Sequence, residues 1–259
     1  MGDKLVMSTI AIITGASGGL GQEFVSEVLK ENIDEIWAVA RNEKKLGELK
    51  AKFGDKVRPI KCDLANKEDL LKLFNFIETE KPNIQLLINN AGIGKMGSSV
   101  DLNDEEIVNE IDINCKSICL LCNHAIPFMS KGSRILNISS ASSFQPVPYI
   151  NLYASSKAFV RSYTRALNVE LKSKGIICTA VCPGWIDTDM LQKEHNGKKV
   201  KFPGIVSPNR VAVQALRDSA KGKDMSVCSF FVKYEHYLSK VLPHKWIMKM
   251  WLSGIKDYV

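Results

Sequence analysis

Short, continuously apolar runs alternate along the chain with stretches whose apolar residues recur every three or four positions. The runs are 9–14 (TIAIIT), 35–40 (EIWAVA), 57–61 (VRPIK), 84–89 (IQLLIN), 134–139 (RILNIS) and 176–182 (IICTAVC). Their length suits strands, and the lack of apolar–polar alternation suits strands covered on both faces, as in a parallel sheet. Between them, 20–30 puts Leu20, Phe24, Val25, Val28 and Leu29 on one helical face. Residues 43–53 form a charged helix. Asn66 reads as the N-cap of a helix reaching about 80, with acidic residues in its first turn. Longer helical stretches cover 104–129 and 151–173. The βαβα order predicts an α/β chain: a Rossmann-like doubly wound parallel sheet with ligands at the carboxyl ends of its strands. Past 182 the pattern weakens. There we expect a mobile lid over 190–204, a last strand over 225–232 and short amphipathic helices around Pro243.

Composition narrows the picture. The 259 residues are 45% hydrophobic. They show no Pro/Gly/Ser-rich linker and no repeat, so one domain over 1–259 is expected, with its core at about 8–190 and a lid and tail at 190–259. The net charge of +7 is spread along the chain, with one denser group at Lys193, Lys198, Lys199 and Lys201. Those lysines either face solvent, the favoured reading, or attract an anionic substrate such as an acyl thioester. Nucleic-acid binding would need a basic stripe with a recognition motif, and none is present. Seven cysteines (62, 115, 119, 122, 178, 182 and 228) are an odd number with no secretory signal ahead of them, which points to reduced thiols in a cytoplasmic protein. Cys119-x-x-Cys122 would suit a redox pair or half a metal site. With Cys115, however, it follows helical spacing, so a packed stripe is preferred and no metal is expected. No run of eighteen apolar residues marks a membrane-spanning helix. Val6 replaces the Ser/Thr that myristoylation of Gly2 prefers.

The candidate chemistry lies at strand ends. The first strand runs through Thr14-Gly15-Ala16-Ser17-Gly18-Gly19-Leu20-Gly21 into a helix. Glycines there permit a tight turn and close approach of a pyrophosphate to a helix N-terminus. Tyr153 and Lys157 are four apart, on one helical face. An ammonium beside a phenol favours the phenolate, so the pair predicts a tyrosine pKa lowered from about 10 toward working pH. Such a tyrosine can exchange protons with a substrate. At the end of the second strand stand Ala40 and Arg41, where an acid would bind the ribose 2′-hydroxyl of NAD and an arginine would accommodate the 2′-phosphate of NADP. NADP(H) is therefore preferred over NAD(H), the alternative being a plain surface arginine.

With these residues in place, the chain resembles the short-chain dehydrogenase/reductase family over roughly 8–190. Thr14-Gly15-x-x-x-Gly19-x-Gly21 is similar to the family's glycine motif, and Asn89-Asn90-Ala91-Gly92 to its segment after the fourth strand. Ser140, Tyr153 and Lys157 match its catalytic trio, and Asn114 its fourth member. Pro183-Gly184 with Thr188 matches its segment after the sixth strand. The resemblance implies a cofactor site formed by Gly15, Ser17, Gly19, Leu20, Gly21, Arg41, Asp63, Leu64, Asn90, Gly92, Tyr153, Lys157, Pro183, Ile186 and Thr188. Asp63 would contact adenine, or else cap a helix. Ser17 stands where some NADP-preferring relatives carry a second basic residue.

The resemblance also implies a reaction. NADPH would supply hydride to a carbonyl carbon, Tyr153 would protonate the oxygen and Ser140 would polarise it. Lys157 would hold the nicotinamide ribose, Asn114 would hold a water leading to solvent, and Ile186 and Thr188 would anchor the carboxamide. The expected partner is a small-molecule ketone or alcohol, apolar in kind (a sterol or lipid). A 3-oxoacyl-thioester reductase, a non-catalytic NADP-binding sensor and a nucleotide-sugar epimerase are the alternatives. Relatives are commonly homodimers or homotetramers built through two long helices, here 104–129 and 151–173. The tail, with Phe230, Phe231, Tyr234, Tyr237, Trp246, Trp251 and Tyr258 among Lys233, Lys240, Lys245 and Lys249, would pack over the substrate mouth or a subunit contact, or lean on a membrane surface.

Overall fold

Alternate side chains of each strand enter two different cores, which is why the strands are apolar at nearly every position. The computed structural model describes residues 8–188, 191, 194–195, 198–200 and 202–255. β1 (Thr9–Thr14) turns Ile10 and Ile12 to one face of the sheet and Ala11 and Ile13 to the other. β2 (Glu35–Ala40) does the same with Trp37 and Val39 against Ile36 and Ala38. β3 (Val57–Lys61), β4 (Asn83–Asn89), β5 (Arg134–Ile138) and β6 (Ile177–Val181) follow. β7 (Glu194–His195) and β8 (Lys198–Lys199) form a separate antiparallel pair, and β9 (Met225–Ser226) closes the main sheet. That sheet has seven parallel strands in the order β3-β2-β1-β4-β5-β6-β9.

The helices, in chain order, are α1 (Gly19–Val28), α2 (Glu43–Phe53), α3 (Lys67–Glu80), α4 (Asp104–Ile111), α5 (Ser117–Ala125), α6 (Asn151–Glu170), α7 (Pro208–Ala220), α8 (Phe230–Val241) and α9 (His244–Gly254). The faces of α1, α2 and α7 cover one side of the sheet, with Phe24, Leu46 and Ala215 in that core. The faces of α3, α5 and α6 cover the other, with Phe74, Leu121 and Val160. This is the doubly wound Rossmann-like sheet expected from the sequence. Asn66 caps α3 as predicted, accepting from the N–H groups of Glu68 (2.8 Å) and Asp69 (3.1 Å). Buried Arg134 at the start of β5 ties the layers together: its guanidinium pairs with Glu31 beyond α1 and donates to Ser219 Oγ of α7 at 3.2 Å.

Two expectations need correction. The stretch 104–129 is not one helix: a π-turn over Asp112–Lys116 separates α4 from α5, and a 3₁₀ turn (Ile126–Phe128) containing Pro127 follows. The stretch 225–232 is strand only at its first two residues, and α8 begins at Phe230. A short apolar run does not distinguish strand from helix; β9 pairs with β6 through only two residues, and Val232 of the helix that follows packs in one cluster with Phe144 and Cys182. Residues 190, 192–193, 196–197 and 201 of the 190–204 lid, the side chains of Lys193, Lys198, Lys199 and Lys201, Tyr258 and the residues around Gly2 and Val6 lie outside the described residues. Among those described, no helix is long and apolar enough to cross a membrane.

The chain winds outward from β1 through β2 to β3, then returns to the other side of β1 as β4. The carboxyl ends of β1 and β4 therefore diverge and open a crevice. The first glycine loop and the Asn89–Gly92 segment meet there. Thr14 Oγ1 accepts from the N–H groups of Asn90 (3.0 Å) and Ala91 (3.1 Å), while Asn90 Nδ2 donates to the carbonyls of Thr14 (3.1 Å) and Gly15 (3.2 Å).

Candidate active site

A cleft of about 2110 Å³ follows this crevice along the strand ends. Every residue named above for the cofactor lines it, as do Ser140, Tyr153 and Lys157; Asn114 sits buried behind the wall. At the dinucleotide end, Gly18 starts α1 without a side-chain cap, so the positive end of the helix faces the cleft. Gly15 holds φ +62°, and a Cβ on Gly21 would lie 2.1 Å from the Gly15 carbonyl oxygen, so no larger residue fits the turn. Across the cleft Thr188 stands beside Gly19, at the end of a loop fixed where Val206 N–H donates to Trp185 O (3.0 Å) and Asp187 N–H to Val206 O (3.0 Å). A bare helix N-terminus, glycines at closest approach and a cleft of this volume running from the glycine turn to Tyr153 and Lys157 fit a dinucleotide.

Arg41 is exposed beside this end, with Lys45 also on the cleft wall and Ala40 filling the position of an acid. Asp63 does not cap α3: its Oδ1 accepts from Ala65 N–H at 3.0 Å in a local turn, while its own N–H donates to Asp69 (3.1 Å).

At the centre, β5 leads into Ser139 and Ser140, and α6 carries Tyr153 and Lys157 on its inner face. Ser140 starts a 3₁₀ turn (Ala141–Phe144), its Oγ accepting from Ser142 N–H at 3.1 Å. Ser139 Oγ donates to Lys157 O (2.7 Å), clamping α6 to β5. The buried Lys157 ammonium donates to the Ile138 carbonyl (2.9 Å) and lies 5.5 Å from the Tyr153 ring centre. Gly94 is the floor under that ring; a Cβ there would come within 2.4 Å of Tyr153 Cδ2.

The electrostatics differ from the sequence reading. Burial raises the Tyr153 pKa above 10.0, against a smaller lowering by the Ser140 hydrogen bond, and the charge of Glu110 raises it further. The expected downward pull of Lys157 is not what governs the phenol, because removal from water outweighs neighbouring charge here. Lys157 itself is lowered to about 8 by burial, with Cys115 and then Glu110 acting the other way. Glu110, one turn before Asn114 on the same helical face, is 3% exposed with Oε1 buried and unpartnered, and burial raises it to about 7.

Asn114 lies in the π-turn, a distortion that recurs at functional sites. Its Nδ2 donates to Ile93 O (2.7 Å) and Ser156 Oγ (3.0 Å), and its Oδ1 accepts from Ile93 N–H (3.0 Å). Both amide hydrogens are thus engaged in bracing the loop after β4 against α6. Sequence reasoning did not name Gly94, Glu110 or Ser156. Only Glu110 left a signal, an acid among apolar residues on the inner face of its helix.

The far end of the cleft is apolar. Phe231, Leu238, Ile247, Met250 and Trp251 from α8 and α9 roof it, against Val147, Ile150, Trp185 and Phe202. Trp185 stacks with Trp251 (6.4 Å between ring centres) and lies 5.0 Å from Phe202, and Trp251 Nε1 donates to Pro148 O at 2.9 Å. The seven cysteines carry no disulfide; burial pushes the Cys122 thiol up to about 12 and raises Cys119 as well, which removes the thiolate a redox pair would use.

Comparison with known proteins gives a consistent result. The profile of the family described as short chain dehydrogenase matches residues 9–199. A 3beta-hydroxysteroid dehydrogenase of Mediterraneibacter gnavus is 30% identical over 215 residues, which make up 81% of this chain and 78% of that one. The very-long-chain 3-oxoacyl-CoA reductase-B of Danio rerio is 32% identical, covering 96% of this chain and 82% of its own. In fold, the chain is similar to a short-chain dehydrogenase from Sphingobium yanoikuyae in complex with NADPH, with a TM-score of 0.76 at 24% identity, covering 97% of this chain and 96% of that one.

Proposed function

The chain belongs to the short-chain dehydrogenase family, oxidoreductases acting on alcohol and carbonyl groups, and from that premise we propose that it is an NADP(H)-dependent reductase of an apolar ketone, such as a sterol or lipid. One observation carries this reading: the Ser140–Tyr153–Lys157 cluster stands in a single cleft between the glycine turn and an aromatic roof. NADPH, when bound, supplies the hydride. Its phosphates would be held at the glycine turn and α1, its 2′-phosphate by Arg41, its adenine beside Asp63 and Leu64, and its carboxamide by Ile186 and Thr188.

The chain's own residues handle the oxygen of the substrate. Ser140 hydrogen-bonds it. Tyr153, its phenol kept protonated by burial, donates the proton that turns the carbonyl into a hydroxyl. Lys157, anchored on Ile138, presents its ammonium to the ribose. Asn114 braces the wall behind it.

Turnover of a steroid ketone, a long-chain 3-oxoacyl-CoA and a small soluble ketone, followed by loss of NADPH absorbance, tests the reading and separates it from the thioester alternative. Tyr153→Phe should lower kcat by about 10²–10⁴ while NADPH binding, read by fluorescence, persists. Binding without turnover of any ketone by the native enzyme would instead indicate a sensor. Exposed Val108 and Ile111 on α4 and Phe159 and Val169 on α6 suit a homo-oligomer built through these helices, to be measured by light scattering.

A further inference from the structure

The two tail helices have a second face that the cleft does not use. On α8, Phe230, Tyr234, Tyr237 and Val241 recur at three- and four-residue steps along the outside. Phe230 is 84% exposed and Tyr237 61%. On α9, Trp246 is 59% exposed. An aqueous surface rarely leaves this many large apolar side chains uncovered on two adjoining helices.

What covers them is indicated by charge and residue type. Lys233 and Lys240 share the outer face of α8, and Lys245 and Lys249 that of α9; all four are exposed. Residues 229–255 contain one acid, Glu235, which lies on the cleft wall and not on this face. Lysines interleaved with Trp, Tyr and Phe on a helix suit a bilayer interface, where rings sit at headgroup depth and ammonium groups meet anionic lipid. Phe231, Met250 and Trp251 on the same helices line the apolar end of the cleft, so the two faces adjoin.

We propose that the outer face of α8 and α9 docks on an anionic lipid surface, with the apolar end of the cleft opening beside it. This rests on the proposed apolar ketone only for its purpose, the uptake of a membrane-dissolved substrate; the docking itself is independent of turnover.

Cosedimentation of the full chain with vesicles tests it. The protein should pellet with phosphatidylcholine–phosphatidylglycerol vesicles, stay in solution with phosphatidylcholine alone, and be released by salt. Each of Lys233→Glu, Lys245→Glu and Lys249→Glu should weaken binding about fivefold or more. Trp246→Ser should weaken it too, while turnover of a small soluble ketone stays unchanged. In the unmodified protein, lipids brominated along their chains should quench part of the tryptophan fluorescence, which keeps the test open if a variant misfolds. No pelleting with the mixed vesicles, or binding indifferent to all three reversals, overturns the proposal. So does a dimer in light scattering that Trp246→Ser dissociates, since a second copy of the chain would then cover the face. Vesicle binding without ketone turnover would leave the docking standing and remove only the proposed activity.

Discussion

Burial acts on Tyr153 and Lys157 in opposite directions, raising the pKa of the phenol and lowering that of the ammonium to about 8. Removal from water disfavours whichever form is charged. In reduction, therefore, Tyr153 holds its proton more firmly than an ordinary phenol, while Lys157 loses its charge through about pH 8. The KM for NADPH should rise above pH 8 with kcat comparatively flat, as steady-state pH profiles would show. Glu110→Gln should move that break to lower pH, because the Glu110 charge supports the Lys157 ammonium. The same substitution has a stability signature. Folded Glu110 holds its proton up to about pH 7, against 4.5 ordinarily, so its contribution to stability falls as pH rises between those values. Thermal melts should find the variant close to the native protein at pH 5 and more stable at pH 8. Gly94→Ala, which forces a methyl toward the Tyr153 ring, should reduce kcat at least tenfold (about 1.4 kcal/mol) with NADPH affinity retained. Spacing made Ser140, Tyr153 and Lys157 legible in the sequence. It could not reveal the sign of the tyrosine shift, which depends on how much water the fold excludes.

Helices and strands were legible where their periodicity was long. β1, β2, α2 and β3 begin and end where the pattern says, and Asn66 announces α3. The π-turn in the middle of 104–129 was not legible, since one extra residue per turn is held by tertiary bonds from Asn114 to Ile93 and Ser156 and leaves no mark on the apolar spacing. α8 was hidden for a related reason: its start is a short apolar run whose partner could have been a strand or a helix-sized gap. Because Val232 is the buried foot of α8, Val232→Ala should loosen the roof. The expected result is a raised KM for an apolar ketone and an unchanged KM for NADPH, a split that initial-rate kinetics would resolve.

For the molecule as a whole, the net charge of +7 is spread along the chain, and at the dinucleotide end of the cleft Arg41, Lys45 and Lys52 stand on the wall together with Glu23, Glu48 and Asp63. Attraction of a triply phosphorylated ligand to such a wall weakens with salt. The second-order rate of NADPH binding should fall with ionic strength more steeply than that of NADH, and Arg41→Ala should remove most of the difference in stopped-flow traces. The doubly wound architecture was readable from element order, but the place of each strand was not, because periodicity says nothing about neighbours. That placement carries a consequence for biogenesis. β1 is made before the other strands of the sheet yet sits in its middle, paired on one side with a strand some seventy-five residues downstream, Thr9 opposite Asn83. A nascent chain that has not yet delivered β4 therefore exposes an unpaired edge on a largely apolar strand. Translation stalled near residue 80 should yield an aggregating, chaperone-bound fragment, and release from it should coincide with emergence of the fourth strand.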